Sequence, residues 1–353
     1  MEWTALGLKD SHDLTFVLLN PAGSAMEDFL KKNEINVVRI RHRGKYGMPL
    51  VLARLSLLFL IRRPDVVHAH LMDATLLGLT AAWLTGIRKR IYTRHNSTFH
   101  HVYFPGAVKY DRWSNRLATQ IVSISQATDK ALLEMENVSS GKVQRIPHGF
   151  ELKAFWLVDE KRVDAVREKW KISGQGPRIG VIARHIEWKG VHHIIMGFKD
   201  FLKSYPQACL ILCNAVGPFH EEIKTMLKDI PEANFILIPF EEDVPALYKL
   251  FDLYVHTPID PYCEAFGQTY VEALASGIPS IFTLSGIAAE FVVHKRNAWV
   301  VNFKDPAGIH TAMVELWGNE HVRREFIERG LLDVTSRFDI RLMVSALKSL
   351  YEQ

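Results

Sequence analysis

Two carboxylates, Glu264 and Glu272, bracket an Ala-Phe-Gly turn and the opening of a helical stretch in EAFGQTYVEALASGIP, Glu264 to Pro279. After Ser276 come Gly277 and Pro279, a helix-stop signal of Gly followed closely by Pro. Just upstream, LFDLYVHTP (Leu250–Pro258) reads as a buried strand with Phe251, Leu253 and Val255 on one side. A strand, a loop carrying an acid, and a helix N-terminus with free N–H groups form a phosphate-binding arrangement. A second acid inside the helix can accept hydrogen bonds from neighbouring sugar hydroxyls, as carboxylates do for ribose. An ordinary capped helix carries the same acid-turn-helix-acid pattern, so these residues alone leave both readings open.

GVIARHIEWKG (Gly180–Gly190) narrows the choice. The apolar run Ile179–Ala183 reads as a strand, Arg184 and Lys189 lie in the loop after it, and a helix follows from about Val191. Cations at the carboxyl end of a parallel strand lie where open α/β sheets bind ligands. Together with an acid-flanked helix N-terminus they point to a diphosphate site, which needs both fixed dipoles and positive charge. The chain holds no Asp-x-Asp, the usual cue for a divalent metal carrying a nucleotide-sugar diphosphate, so Arg184 and Lys189 are the expected neutralisers.

The elements that must position these residues alternate between apolar strand-like runs and helical patterns, as in two doubly wound α/β domains. In the first half the strands are expected at about Thr15–Leu19, Asn36–Ile40, Val66–Ala69, Arg90–Thr93, Ile121–Ile124 and Val143–Ile146. In the second they fall at about Ile179–Ala183, Ala208–Cys213, Asn234–Pro239, Leu253–His256, Ser280–Thr283 and Ala298–Val301. The charged stretch Val158–Trp170 and the SGQGP turn (Ser173–Pro177) read as the linker. A length of 353 residues exceeds one ordinary core. The expected division is 1–155 and 156–337, with a terminal helix at about 338–353 packing back on the first domain. A cleft between two such domains is a favoured ligand site.

The order Arg184, Lys189, Glu264, Glu272 resembles retaining glycosyltransferases of family 4, which share the two-domain GT-B fold. The resemblance extends through PDVVHAH (Pro64–His70), YTRHNSTFHH (Tyr92–His101), IVSISQATDKALLE (Ile121–Glu134) and KVQRIPHGFE (Lys142–Glu151). It implies an acceptor-side first domain facing a donor-binding second domain across a cleft. Arg184 and Lys189 would hold the donor diphosphate, Glu264 would contact the transferred sugar, and Glu272 the ribose. Phe266, Gly267 and Gln268 would line the same donor site. His95 matches the family position whose imidazole reaches the transferred sugar from the first domain. His70, His100 and His101 are the acceptor-side candidates, the last two equally able to help a loop pack. His68 and His70 straddle a strand end, with His70 placed toward the cleft and His68 toward the core.

The resemblance also implies the chemistry. Retention through a covalent intermediate needs a carboxylate beneath the anomeric carbon, and the first half offers no obvious one. Front-face substitution is implied instead, with no metal and no cofactor. The partners would be a nucleotide-diphosphate sugar, such as a UDP-sugar or GDP-mannose, and a sugar, glycolipid or other hydroxyl acceptor. Bacterial-type polysaccharide or glycolipid synthesis is the setting implied. Two alternatives stand beside this: a catalytically impaired nucleotide-sugar-binding protein, and a nucleotide-sugar epimerase on the same fold. No Gly-x-Gly-x-x-Gly follows a strand and the lone Gly141–Lys142 lacks the rest of a P-loop, which disfavours a Rossmann oxidoreductase and a P-loop NTPase.

Composition agrees: 48% hydrophobic and 23% charged residues describe a soluble globular chain. Three cysteines, Cys209, Cys213 and Cys263, suit a reducing cytosol, and residues 1–10 are mixed and polar. A cytoplasmic location follows, with a peripheral place at the inner face of a membrane as the sharper alternative. That alternative rests on MPLVLARLSLLFLI (Met48–Ile61), too short and charged to cross a bilayer, with Lys45, Arg54, Arg62 and Arg63 and a pI near 8.8. The net charge of +4 is modest and its basic residues scattered, against nucleic-acid binding. Family members begin with a strand and a Gly-rich loop, whereas MEWTALGLKDSHDLTFVLLN reads as a late helix followed by the second strand. The expectation is a missing internal strand, carried by about 20–30 further residues ahead of Met1.

Overall fold

The computed structural model describes residues 1–41, 44–174 and 176–353; Gln175 of the SGQGP turn and the side chain of Lys45 lie outside the described residues. The chain divides into two compact units, Met1–Phe150 with Ile340–Gln353, and Glu151–Asp339.

The first unit holds β1 (Thr15–Leu18), β2 (Asn36–Arg39), β3 (Val66–His70), β4 (Lys89–Arg94), β5 (Gln120–Ser123) and β6 (Val143–Arg145). All pair in parallel, but in two sheets: β1–β2 and β3–β4–β5–β6. The Met48–Arg62 helix shows how its residues sort. Val51, Leu55 and Phe59, spaced by four, bury one stripe against Leu77, Ala81 and Ala82 of the Met72–Leu84 helix. Each large side chain so buried contributes about 1.5–3 kcal/mol. The opposite face leaves Leu57, Leu60 and Ile61 exposed beside Arg54, Arg62 and Arg63. The Ile340–Glu352 helix belongs to this unit: Val344, Leu347 and Leu350 are buried, and Leu347 and Leu350 pack with Ile91 and Val122 of β4 and β5.

The second unit is one six-stranded parallel sheet from β7 (Arg178–Ile182), β8 (Cys209–Cys213), β9 (Phe235–Ile238), β10 (Leu253–His256), β11 (Ser280–Phe282) and β12 (Trp299–Val300). The strand order is β12–β11–β10–β7–β8–β9. Strands β8 and β10 are buried at every position, which is why they read as unbroken apolar runs. The expected linker is corrected here. Glu160–Lys169 is a helix of this unit, capped by the Asp159 carboxylate on Lys161 N–H at 3.0 Å. Val163 and Val166 are buried, and Arg162 grips Asp243 through two hydrogen bonds of 2.8 and 2.7 Å. Two valines three residues apart were enough to anchor a segment whose other residues are mostly charged.

Candidate active site

Strands β7, β8 and β9 build outward on one side of the second sheet and β10, β11 and β12 on the other. The chain therefore reverses its direction of growth between β7 and β10, and loops leaving the carboxyl ends of two such strands diverge to form a ligand crevice. Those two loops carry Arg184 and Lys189, and Glu264 with the helix Gln268–Ala275. They are tied together at the backbone. Ile259 N–H donates to the Trp188 carbonyl at 3.1 Å. Gly190, at φ 72°, lies so close to Thr257 that a Cβ there would sit 2.0 Å from its carbonyl oxygen. Gly267, at φ 84°, starts the Gln268–Ala275 helix, where a Cβ would meet the Tyr270 ring at 2.6 Å.

Lys189 and Glu264, 75 residues apart, are in direct contact: Lys189 Nζ donates to Glu264 Oε1 at 2.5 Å. His256 Nε2 lies 3.1 Å from the same oxygen, and Glu264 N–H donates to Ser285 Oγ at 3.2 Å. Burial would push the Glu264 carboxyl up, but the Lys189 ammonium and His256 override it and hold it down to about 2. Glu272 sits differently. Burial, only partly opposed by the Tyr248 hydroxyl that donates to its Oε2 at 3.1 Å, pushes its carboxyl up to about 7. Arg184 and Gln268 are exposed, and the Arg184 guanidinium makes no ion pair among the described residues. The Phe266 ring is buried edge-on against Phe338 at 5.9 Å, so that residue anchors the loop through the core.

In the first unit β4 ends at Arg94 and delivers His95 next to His70: His70 Nδ1 and His95 Nε2 are 3.1 Å apart, and His95 stacks on His148 at 5.5 Å. His68 and His70 stack at 4.4 Å on one face of β3. Residues two apart on a strand share a face, so the expected split between a cleft side and a core side is corrected. His68 also bridges Tyr351 of the terminal helix at 2.5 Å and Thr93 at 2.8 Å. Burial holds His95 down to about 4, His68 and His148 to about 3, and His70 well below its ordinary range. His100 and His101 are tied into a buried ionic cluster. His100 Nδ1 is 2.6 Å from Asp111, His101 Nε2 is 3.0 Å from Glu136, and Arg94 pairs with both acids at 2.8 and 2.6 Å. These two histidines pack a loop.

Sequence reasoning passed over His256 and Tyr248. A histidine closing a run as apolar as LYVH was the available signal for the first. Nothing in spacing marks the second, which reaches Glu272 across 24 positions.

Residues 163–332 match the family described as Glycosyl transferases group 1, and residues 4–154 match Glycosyltransferase Family 4. The capsular polysaccharide biosynthesis glycosyltransferase CapM of Staphylococcus aureus is 25% identical over 309 residues, covering 85% of this chain and 80% of that protein. Mannosylfructose-phosphate synthase of Agrobacterium fabrum is 22% identical over 336 residues, 92% of this chain and 70% of that one. The crystal structure of Anabaena HepE in complex with UDP-glucose superposes with a TM-score of 0.83 at 20% identity, covering all of this chain and 96% of HepE. At that identity the likeness shows a shared fold.

Proposed function

This chain is a family 4 glycosyltransferase with the GT-B fold, an enzyme that moves sugar from a nucleotide sugar, and from that premise we propose that it does so with retention and without a metal ion. The observation that carries the proposal is the convergence of Lys189, Glu264 and the start of the Gln268–Ala275 helix at the reversal point of the second sheet. In this reading the second unit binds the donor. Arg184, Lys189 and the helix N–H groups, flanked by Gly267 and Gln268, neutralise the diphosphate as it departs, which is where transition-state charge develops. Lys189 turns from Glu264 to the diphosphate, and Glu264 accepts hydrogen bonds from hydroxyls of the transferred sugar. Glu272 holds the ribose hydroxyls.

The first unit takes the acceptor, and His95, hydrogen-bonded to His70, is its candidate catalytic side chain. Asp111 and Glu136, the acids packed against the segment around His95, are engaged by Arg94, His100 and His101. That engagement favours front-face substitution over attack by a protein carboxylate. The leaving diphosphate takes the acceptor hydroxyl's proton as the glycosidic bond forms, so an α-linked donor yields an α-linked product. The likeness to CapM, named for capsular polysaccharide biosynthesis, favours polysaccharide synthesis as the setting. Among the described residues no helix is long and apolar enough to cross a membrane. The exposed Leu57, Leu60 and Ile61 beside three arginines support docking at an anionic cytoplasmic leaflet.

The test is a thermal-shift screen with UDP-glucose, GDP-mannose and their free nucleotides, followed by turnover of Glu264→Gln and Lys189→Ala with whichever donor stabilises. Loss of turnover in both, unaffected by chelators in the wild type, is expected. Full turnover in either variant would defeat the assignment.

A further inference from the structure

All four residues of β10 are buried, and the strand ends in an imidazole that is 2% exposed. The Tyr270 ring meets His256 edge-on at 4.8 Å and the Tyr254 ring lies roughly parallel at 6.5 Å. Burial lowers the titration of this histidine in spite of the neighbouring carboxylate, so the ring is neutral and carries a single proton. A carboxylate only accepts, so the 3.1 Å contact with Glu264 Oε1 requires that proton on Nε2. Nδ1 is consistent with this: it has no hydrogen-bond partner among the described residues.

We propose that His256 is a positioning residue, whose Nε2–H keeps the Glu264 carboxylate oriented and ionised after Lys189 has turned to the donor diphosphate. This rests on the reading of Glu264 and Lys189 given above. Oε1 has two side-chain donors, and donor binding calls one of them away. Glu264 is 7% exposed, so without the second donor its carboxylate would face the sugar with its charge unsupported, and the acid form would gain. The other titratable groups around it are the Cys263 thiol, pushed up to about 11, and the Tyr270 phenol, raised well above its usual range. Neither carries charge at pH 7.

The experiment compares His256→Phe and His256→Gln, the amide nitrogen of Gln standing in for Nε2–H, with Glu264→Gln as reference. Turnover is followed at pH 7 with UDP-glucose or GDP-mannose, whichever the screen selects. Expected for His256→Phe is a fall in kcat of about tenfold or more with a donor KM within about threefold, and most of the loss restored in His256→Gln. An unchanged kcat in His256→Phe, or no recovery in His256→Gln, beside an inactive Glu264→Gln, overturns this inference alone. Full turnover in Glu264→Gln overturns the reading of Glu264 and this inference with it. Should His256→Phe fail to fold, ¹⁵N chemical shifts of the wild-type imidazole decide. The neutral Nε2–H tautomer, with and without UDP, is expected, and an Nδ1–H tautomer or an imidazolium overturns the proposal.

Discussion

Replacing Lys189 by Ala removes the ammonium that holds Glu264 ionised, and the cost can be worked from the site. The carboxyl is displaced from 4.5 to about 2 although its side chain is only 9% exposed. At about 1.36 kcal/mol per tenfold change, that displacement stabilises the ionised folded form by about 3 kcal/mol. For a carboxyl lowered on folding, this contribution is fully present above the unfolded value and is lost as pH falls toward about 2. Lys189 and His256 hold that displacement jointly, so Lys189→Ala should lower stability by up to about 3 kcal/mol at pH 7 and up to about 2 kcal/mol at pH 3.5. In Lys189→Ala/Glu264→Gln there is no buried charge to strand, and most of the loss should return at pH 7, while donor binding stays lost. Urea denaturation of the four proteins at both pH values, analysed as a double-mutant cycle, measures the coupling. Costs that simply add, with coupling under about 0.5 kcal/mol at pH 7, would refute the argument.

Glu272 carries the opposite sign: titrating near 7 when folded, it makes stability fall as pH rises from about 4.5 to 7, so Glu272→Gln should stabilise the free protein at pH 8 by up to about 3 kcal/mol, little at pH 4.5, and weaken nucleotide binding. A variant no more stable at pH 8 than the wild type by chemical denaturation would reject this. Folded His68 titrates near 3, so the unfolded chain takes up its proton first; the wild type should lose about 2 kcal/mol from this ring on going from pH 7 to 5, and His68→Gln should flatten that slope in pH-dependent melting. Leu57→Glu/Ile61→Glu should end co-sedimentation with phosphatidylglycerol vesicles without lowering the thermal midpoint, since both side chains are exposed; retained binding removes that helix from the membrane argument.

Much of the scaffold can be read in the chain because parallel strands buried on both faces leave apolar runs such as CLILC and LYVH, each of which is a strand. Glu160–Lys169 escaped because charged residues outnumber the two valines that seat it. The two-sheet arrangement of the first unit could not be foreseen either, since pairing is a property of neighbours and not of a run. In the site, Arg184, Lys189, Glu264 and Glu272 stand out by their place after strands and at a helix start. Their relation does not: a 2.5 Å contact between positions 189 and 264 arises only when the sheet reverses between β7 and β10. His256 was hidden for a related reason, because alternation within a strand says which side a residue takes but not what waits there.

The split of the first unit into β1–β2 and β3–β6 bears on how the chain behaves in company. Strands β1 and β3 each have a ladder partner on one side only among the described residues. Such a margin is a row of N–H and C=O groups ready to accept any extended segment, and Thr15–Leu18 is an apolar one with no charge to repel a newcomer. Proteins commonly blunt such margins with lysine, proline or a bulge, and TFVL has none of these in its sequence. Concentration then becomes a variable in the life of this enzyme. Handling it dilute, or placing a lysine at an outward position of β1, should decide whether preparations stay monodisperse.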